Sequence, residues 1–151
     1  MAVKYLVVHH SATSEDATVE DIRRMHVEGR GWRDIGYHHV IRMGDGPLPL
    51  VHPGRPYDTD TDWEPWEYGA HARGHNHQSI GVCLVGNYDK RPLPHSMRTA
   101  LVMTLAALCV NFGLSPEMAI RGHSELAATA CPGRNVRMNE IRAAVERALR
   151  E

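Results

Sequence analysis

The chain has 151 residues, a length that fits one compact domain with a single hydrophobic core. It has 17 lysine and arginine residues against 18 aspartate and glutamate residues, a net charge of -1, which argues against nucleic acid or an anionic membrane surface as a partner. Three cysteines do not indicate a disulfide framework, and no apolar run approaches the roughly 20 residues of a membrane-spanning helix.

The first elements predicted along the chain are a strand and a helix. Residues 4–10 are rich in Val and Leu and predict a buried strand that ends in His9 and His10. Because successive strand side chains point to opposite faces, only one of these two histidines can face a given site. Residues 18–21 have the form of a capping box, and the helix that follows is predicted to stop at Gly29 and Gly31.

Three further strands are predicted between residues 37 and 85. Residues 37–42 and 48–51 flank the turn residues 44–46, a pattern typical of a β-hairpin. Residues 79–85 form a continuous apolar run, which predicts a strand at the centre of a sheet.

The last third of the chain predicts a helix, a strand and a closing helix. Apolar residues recur at helical spacing in residues 96–112, residues 119–122 form a short strand, and residues 138–149 are amphipathic. The resulting order of elements is β, α, β, β, β, α, β, α. This order predicts an α/β fold in which one domain, residues 1–151, has a central mixed sheet flanked by helices.

An acidic and aromatic segment, residues 57–68, interrupts this pattern. Its aspartates resemble the start of a calcium loop, but Trp63 and Gly69 stand where such a loop needs a glycine and a glutamate, so calcium is not expected. Its aromatic residues allow two interpretations, stacking on sugar rings or packing onto the core. These residues are Trp63, Trp66 and Tyr68.

A histidine and a cysteine in the last third of the chain are candidate metal ligands. His123 and Cys131 are eight residues apart, and Pro132 and Gly133 close their loop. Imidazole and thiolate together suit Zn²⁺, and His9 at the end of a strand is a natural third ligand. Three protein ligands with an open position are typical of catalytic zinc, although a neighbouring His and Cys also occur as a packed pair without metal.

Five blocks of sequence stand out along the chain: residues 7–13, 31–38, 69–76, 79–86 and 122–133. In this order they resemble the phage-lysozyme-type N-acetylmuramoyl-L-alanine amidases, whose fold is shared with peptidoglycan recognition proteins. The resemblance covers about residues 5 to 133, nearly the whole chain.

The resemblance implies a catalytic site. It makes His9, His123 and Cys131 the ligands of one Zn²⁺ per chain, and it makes Tyr37 the catalytic tyrosine, which orients water and donates a hydrogen bond to the oxyanion. The phage enzymes carry a lysine two residues before the cysteine ligand, whereas this chain has Thr129. Threonine there is similar to the amidase-active recognition proteins and keeps a hydroxyl donor.

The resemblance also implies a substrate groove, which would bind polar groups of the muramyl peptide. The residues carried over for it are His71, Arg73, Asn76 and His77. The remaining histidines are predicted to be core or surface residues, and Cys83 and Cys109, inside apolar segments, are predicted to be structural.

The function implied is hydrolysis of the lactyl-amide bond between N-acetylmuramic acid and L-alanine in bacterial peptidoglycan. No N-terminal signal is visible, so we expect synthesis in the cytoplasm and, for a phage endolysin, release to the cell wall through a holin pore. We expect a monomer that binds peptidoglycan, not nucleic acid or membrane. The alternatives are a bacterial enzyme for muropeptides inside the cell, a binding module without catalysis, or a regulator of a phage RNA polymerase.

Overall fold

A five-stranded mixed sheet forms the centre of residues 2–60 and 62–151, which this computed structural model describes. Across the sheet the strands lie in the order β3-β2-β4-β1-β5, where β2 and β3 pair antiparallel and the other neighbours pair parallel. The central position predicted for the apolar run at residues 79–85 is confirmed. The strands are β1 Tyr5–His10, β2 His39–Met43, β3 Pro49–Pro53, β4 Ser79–Leu84 and β5 Ile120–Gly122.

Helices cover both faces of the sheet, which confirms the predicted α/β fold. The capping box predicted at the first helix is present, because Thr18 Oγ1 accepts the Asp21 N–H at 3.1 Å and the Asp21 carboxylate accepts the Thr18 N–H at 2.9 Å. The pattern did not predict α3, since a single turn is too short to show helical periodicity. The helices are α1 Val19–Arg30, α2 His95–Phe112, α3 Pro116–Ala119 and α4 Met138–Arg150.

The main hydrophobic core lies between the sheet and helices α2 and α4. Leu6 and Val8 of β1 and Ile80, Val82 and Leu84 of β4 enter this core. Among the described residues, no helix has both the length and the hydrophobicity needed to cross a membrane.

The opposite face of the sheet carries a smaller apolar cluster and the polar residues of interest. This cluster is formed by Ile22, Ile35, Val40 and Val85. Because side chains alternate along a strand, the residues of β1 and β4 that do not enter the main core point to this second face. The register pairs His9 with Cys83 there. The face is buried, since His9 is only 1% exposed.

The acidic and aromatic segment packs down on the main core. Trp63 is 3% exposed, and its ring lies 5.6 Å from that of Tyr57 and 6.4 Å from that of Phe112. Core packing is therefore the correct interpretation for Trp63, whereas Trp66 remains 43% exposed. Glu67 is fully buried because its carboxylate accepts two backbone N–H groups, those of Asp58 at 2.9 Å and Glu64 at 3.0 Å.

His38 joins this segment to the sheet as a neutral side chain. Its Nε2 donates to the Glu67 carbonyl at 2.7 Å, and its Nδ1 accepts the Gly81 N–H at 3.0 Å. Burial lowers the pKa of His38 from 6.5 to about 4, because the charged imidazolium would lose its hydration. Of the two positions predicted for the remaining histidines, core or surface, His38 takes the core.

We expect the metal-free protein to lose stability when the pH falls from 7 to 5. The folded pKa of His38 lies below the unfolded value, so the unfolded chain binds more protons between pH 6.5 and 4 and stability falls with pH there. The contribution of His38 to this loss is about 2 kcal/mol. Urea unfolding at the two pH values measures it.

The control variants isolate His38 from the other histidines. His38→Asn keeps an acceptor near the Gly81 N–H but does not titrate, so its loss between pH 7 and 5 is expected to be smaller than that of the parent. The exposed His95→Asn is expected to match the parent. Equal losses in His38→Asn and the parent would contradict the interpretation.

Candidate active site

A cleft of about 740 Å³ opens on the face of the sheet that is opposite to the main core. It lies where β1 ends, as ligand sites in open α/β sheets lie at the carboxyl ends of strands. Its lining includes His9, Tyr37 and His71 from the segments in and beside the sheet, and Thr129 to Cys131 from the loop after β5. The other lining residues are His10, Ser11, Ala12, His26, Arg30, Trp32, Ala70, Ala72, Arg73, Asn76 and His123.

Three side chains that the sequence predicts to be metal ligands meet in this cleft. The ligand atoms of His9, His123 and Cys131 all lie within 4.8 Å of one another. Nδ1 of His9 is 3.5 Å from Sγ of Cys131, and the rings of His9 and His123 have centroids 4.6 Å apart. This group could hold a metal ion.

Helix α4 anchors the loop that carries two of these three side chains. The loop closes on itself where the Ser124 N–H donates to the Cys131 carbonyl at 2.7 Å. The Glu125 carboxylate accepts the Gly122 N–H at 2.8 Å and also accepts from Arg142 of α4 at 2.8 Å. His123 and Cys131 are therefore held in place from both ends of the loop.

The protonation states in the cleft suit metal binding. Burial lowers the pKa of His9 well below 6.5, with a smaller contribution from His71, and burial also lowers the pKa of His123. Both imidazoles are therefore neutral at neutral pH, as metal ligands must be. Burial raises the pKa of Cys131 to about 11, although the His10 N–H donates to its sulfur at 3.4 Å. A bound cation would be required to ionise this thiol at neutral pH.

Tyr37 lies beside the candidate ligands with its hydroxyl protonated. Its ring centroid is 5.1 Å from that of His9. Burial raises the pKa of Tyr37 well above 10, and the neighbouring Cys83 and Cys131 raise it further. Tyr37 is therefore a neutral phenol in this cleft, not a phenolate.

Thr129 lines the cleft two residues before Cys131 and is exposed. Its Oγ1 accepts the Cys131 N–H at 3.3 Å. Because the oxygen is the acceptor in this contact, the hydroxyl hydrogen stays free to donate to a ligand in the cleft.

The four residues predicted for the substrate groove have different environments. Arg73 is exposed and lines the cleft, whereas His77 is outside the lining. Asn76 lines the cleft, but its Oδ1 accepts the N–H groups of His71 at 3.0 Å and Ala72 at 2.9 Å. His71 is only 8% exposed, and both of its ring nitrogens have partners inside the protein.

Several lining residues received no functional role from the sequence, among them His10, His26, Arg30 and Trp32. His26 is buried, and its Nδ1 accepts the Gly36 N–H at 2.9 Å. The Arg30 guanidinium lies 5.0 Å from the Trp32 ring centroid, so the two side chains form one wall of the cleft. Trp32 stands inside the block at residues 31–38, and this was the available signal. His39 bonds Tyr57 at 2.6 Å and does not line the cleft.

Comparison with known proteins identifies the class of protein. The family profile described as N-acetylmuramoyl-L-alanine amidase matches residues 1–134. The chain is 40% identical to an endolysin of Escherichia phage T7 over 131 residues, which are 84% of this chain and 78% of the phage protein.

Two solved structures have a similar fold. The N-acetylmuramoyl-L-alanine amidase LysC from Clostridium intestinale has a TM-score of 0.80 and 27% identity, over 97% of this chain and 87% of LysC. A mutant of Drosophila PGRP-LB, in complex with tracheal cytotoxin, has a TM-score of 0.71 and 26% identity, over 93% and 80% of the two chains. The chain thus belongs to the N-acetylmuramoyl-L-alanine amidase family and is an amidase.

Asn76→Ala is expected to lower the free energy of unfolding by about 2 kcal/mol. The change removes the acceptor of two backbone N–H groups, and Ala72, which donates one of them, is only 1% exposed. Asn76→Asp keeps an oxygen in the same place and is expected to stay closer to the parent. Urea unfolding of the three proteins checks this, and equal stability of the two variants would show that the acceptor is unimportant.

Proposed function

We propose that the chain is a zinc-dependent N-acetylmuramoyl-L-alanine amidase of the endolysin kind. It hydrolyses the lactyl-amide bond between N-acetylmuramic acid and the L-alanine of the peptide stem in bacterial peptidoglycan. The observation that carries this proposal is the convergence of His9, His123 and Cys131 beside Tyr37 in one cleft.

The donor set fits one Zn²⁺ per chain. Two nitrogens and one sulfur are typical zinc ligands. Standard zinc bond lengths in a tetrahedral site separate a nitrogen ligand from a sulfur ligand by about 3.6 Å, and Nδ1 of His9 lies 3.5 Å from Sγ of Cys131. Three ligands leave one position open, the pattern of catalytic sites. Bound zinc would supply Lewis acidity that polarises an amide carbonyl and activates water.

Tyr37 and Thr129 supply the hydrogen-bond donors. In the transition state of amide hydrolysis, negative charge develops on the carbonyl oxygen, and donors aimed at it lower the barrier. The protonated phenol of Tyr37 donates without having to ionise, because its pKa is raised well above 10 by burial. Thr129 offers its free hydroxyl hydrogen from the loop of Cys131.

The charge of the cleft suits a muramyl peptide. Arg30 and Arg73 are in its lining, and the described lining residues include no carboxylate. Peptide stems carry carboxylates, which arginine binds well. The Drosophila protein with the similar fold was solved with tracheal cytotoxin. We therefore assign substrate binding to Arg73 and to the amide nitrogen of Asn76. The role of His77 in substrate binding stays a prediction from the resemblance.

The phage relatives favour an enzyme that acts on the cell wall. We infer that the chain works there after release from the cytoplasm through a holin pore, as expected of an endolysin. The proposed ligands and donors all come from one chain, so a monomer is sufficient for the reaction.

The decisive test is digestion of purified peptidoglycan by the zinc-loaded protein, followed by mass spectrometry of the soluble products. We expect peptides with free L-alanine amino termini and glycans with intact lactyl groups. Cys131→Ala is expected to abolish the release. Cys109→Ala, which removes a buried thiol of the core instead, is expected to keep it. Binding of the intact protein to peptidoglycan without cleavage would refute the amidase and favour a binding module.

Tyr37→Phe is expected to lower kcat by about 10²- to 10³-fold, the usual effect of removing one oxyanion donor. The ring remains, so the packing against His9 and the zinc content should change little. Steady-state kinetics on a soluble muramyl peptide, with metal analysis of the same samples, separates the two effects. A kcat within twofold of the parent would exclude Tyr37 as a donor.

A further inference from the structure

A chain of hydrogen bonds runs from His9 into the interior of the protein. Nε2 of His9 lies 2.9 Å from Nδ1 of His71, Nε2 of His71 lies 3.3 Å from Oγ of Ser79, and Oγ of Ser79 lies 2.7 Å from the His75 carbonyl. We propose that His71 is a positioning residue that fixes the tautomer and the orientation of His9 as a metal ligand. This inference rests on the metal site proposed above.

The hydrogen bond from Ser79 to the His75 carbonyl determines the position of every hydrogen in this series of hydrogen bonds. A carbonyl oxygen can only accept, so Ser79 must use its single hydroxyl hydrogen on the His75 carbonyl. The Ser79 oxygen must then accept from Nε2 of His71, which places the ring hydrogen of a neutral His71 on Nε2.

The same argument continues to the metal ligand. Nδ1 of His71 has only a lone pair, so Nε2 of His9 must carry a hydrogen and donate it to His71. A neutral His9 then has its free lone pair on Nδ1, the atom that faces Sγ of Cys131. These hydrogen bonds thus select the tautomer in which His9 can bind a metal ion on the side of Cys131 and His123. Metal-binding histidines in proteins generally donate their other ring N–H to a partner that fixes the orientation of the ring.

Two glycines leave room for the His71 ring. A Cβ added to Gly81 of β4 would lie 2.6 Å from Cγ of His71, and a Cβ added to Gly69 would lie 2.7 Å from its Cδ2. Both distances are shorter than real Cβ contacts, so a side chain at either position would displace the ring. The ring is therefore held by packing as well as by hydrogen bonds, as a positioning role requires.

This role differs from the substrate binding that the resemblance implied for His71. Both ring nitrogens are engaged within the protein, so neither is available to a muramyl peptide. A substrate-binding residue affects KM and leaves metal affinity unchanged. A positioning residue affects metal affinity first.

The first experiment measures zinc affinity by competition with a chromophoric chelator. His71→Leu removes the acceptor of the His9 hydrogen, and we expect zinc binding to weaken about 10- to 100-fold. His71→Asn places an amide oxygen near the former Nδ1 and is expected to recover part of that loss. His39→Leu, which removes a histidine outside the cleft, is the control and should bind zinc like the parent.

The second experiment needs no variant. Long-range ¹H–¹⁵N correlation spectra of the zinc-loaded parent are expected to show hydrogen on Nε2 of both His9 and His71. A hydrogen on Nδ1 of either ring would overturn the inference, as would a folded His71→Leu that binds zinc as tightly as the parent. Failure of the parent itself to bind zinc would instead refute the proposed function, so the two failures are distinguishable.

Discussion

The parallel pairing of β1 with β4 is the constraint on which the rest of the molecule depends. Leu6 and Val8 enter the main core together with alternate residues of β4, and their burial fixes the register of the two strands. A shift by one residue would turn every side chain to the other face, so the register is strongly determined. With this register, His9 must lie next to Cys83 on the opposite face, and Gly81 must lie under His71. The hydrophobic core thereby positions a polar site on the opposite face of the sheet.

Burial of that polar face is possible because its groups are paired with one another or with the backbone. Arg55 is only 6% exposed, yet its guanidinium donates to the carbonyls of Ile35 and Tyr68, each at 2.7 Å. Among the side chains that the structure describes, only Nε2 of His52 is buried without a partner. Since an unpaired buried polar atom costs about 1–3 kcal/mol, this near-complete pairing is what makes a wall of histidines compatible with a stable fold.

The sequence predicted the fold well because strands and helices show local patterns. It also named the three side chains that the structure brings together, but His9 comes from a distant part of the chain, and the family resemblance carried that part of the prediction. Apolar periodicity identified the strands and the long helices, and the loop with His123 and Cys131 is visible as a short motif. The rest depends on contacts between distant segments. The pairing of His71 with His9, 62 positions away, has no sequence pattern, so residue type alone could not distinguish a substrate-binding histidine from one that orients a ligand. His26 was not predicted to reach the cleft for the same reason.

The contact of Arg142 with Glu125 links helix α4 to the loop that carries His123 and Cys131. Arg142 also donates to the Ile120 carbonyl at 2.9 Å, so α4 holds both β5 and the turn that carries His123. Because coupling between two sites is reciprocal, a ligand that orders this loop also favours the packing of α4 against it. Binding of the proposed metal ion and docking of α4 would therefore be thermodynamically coupled: loss of the ion would loosen α4, and a partner that pulled α4 away from the sheet would weaken binding of the ion.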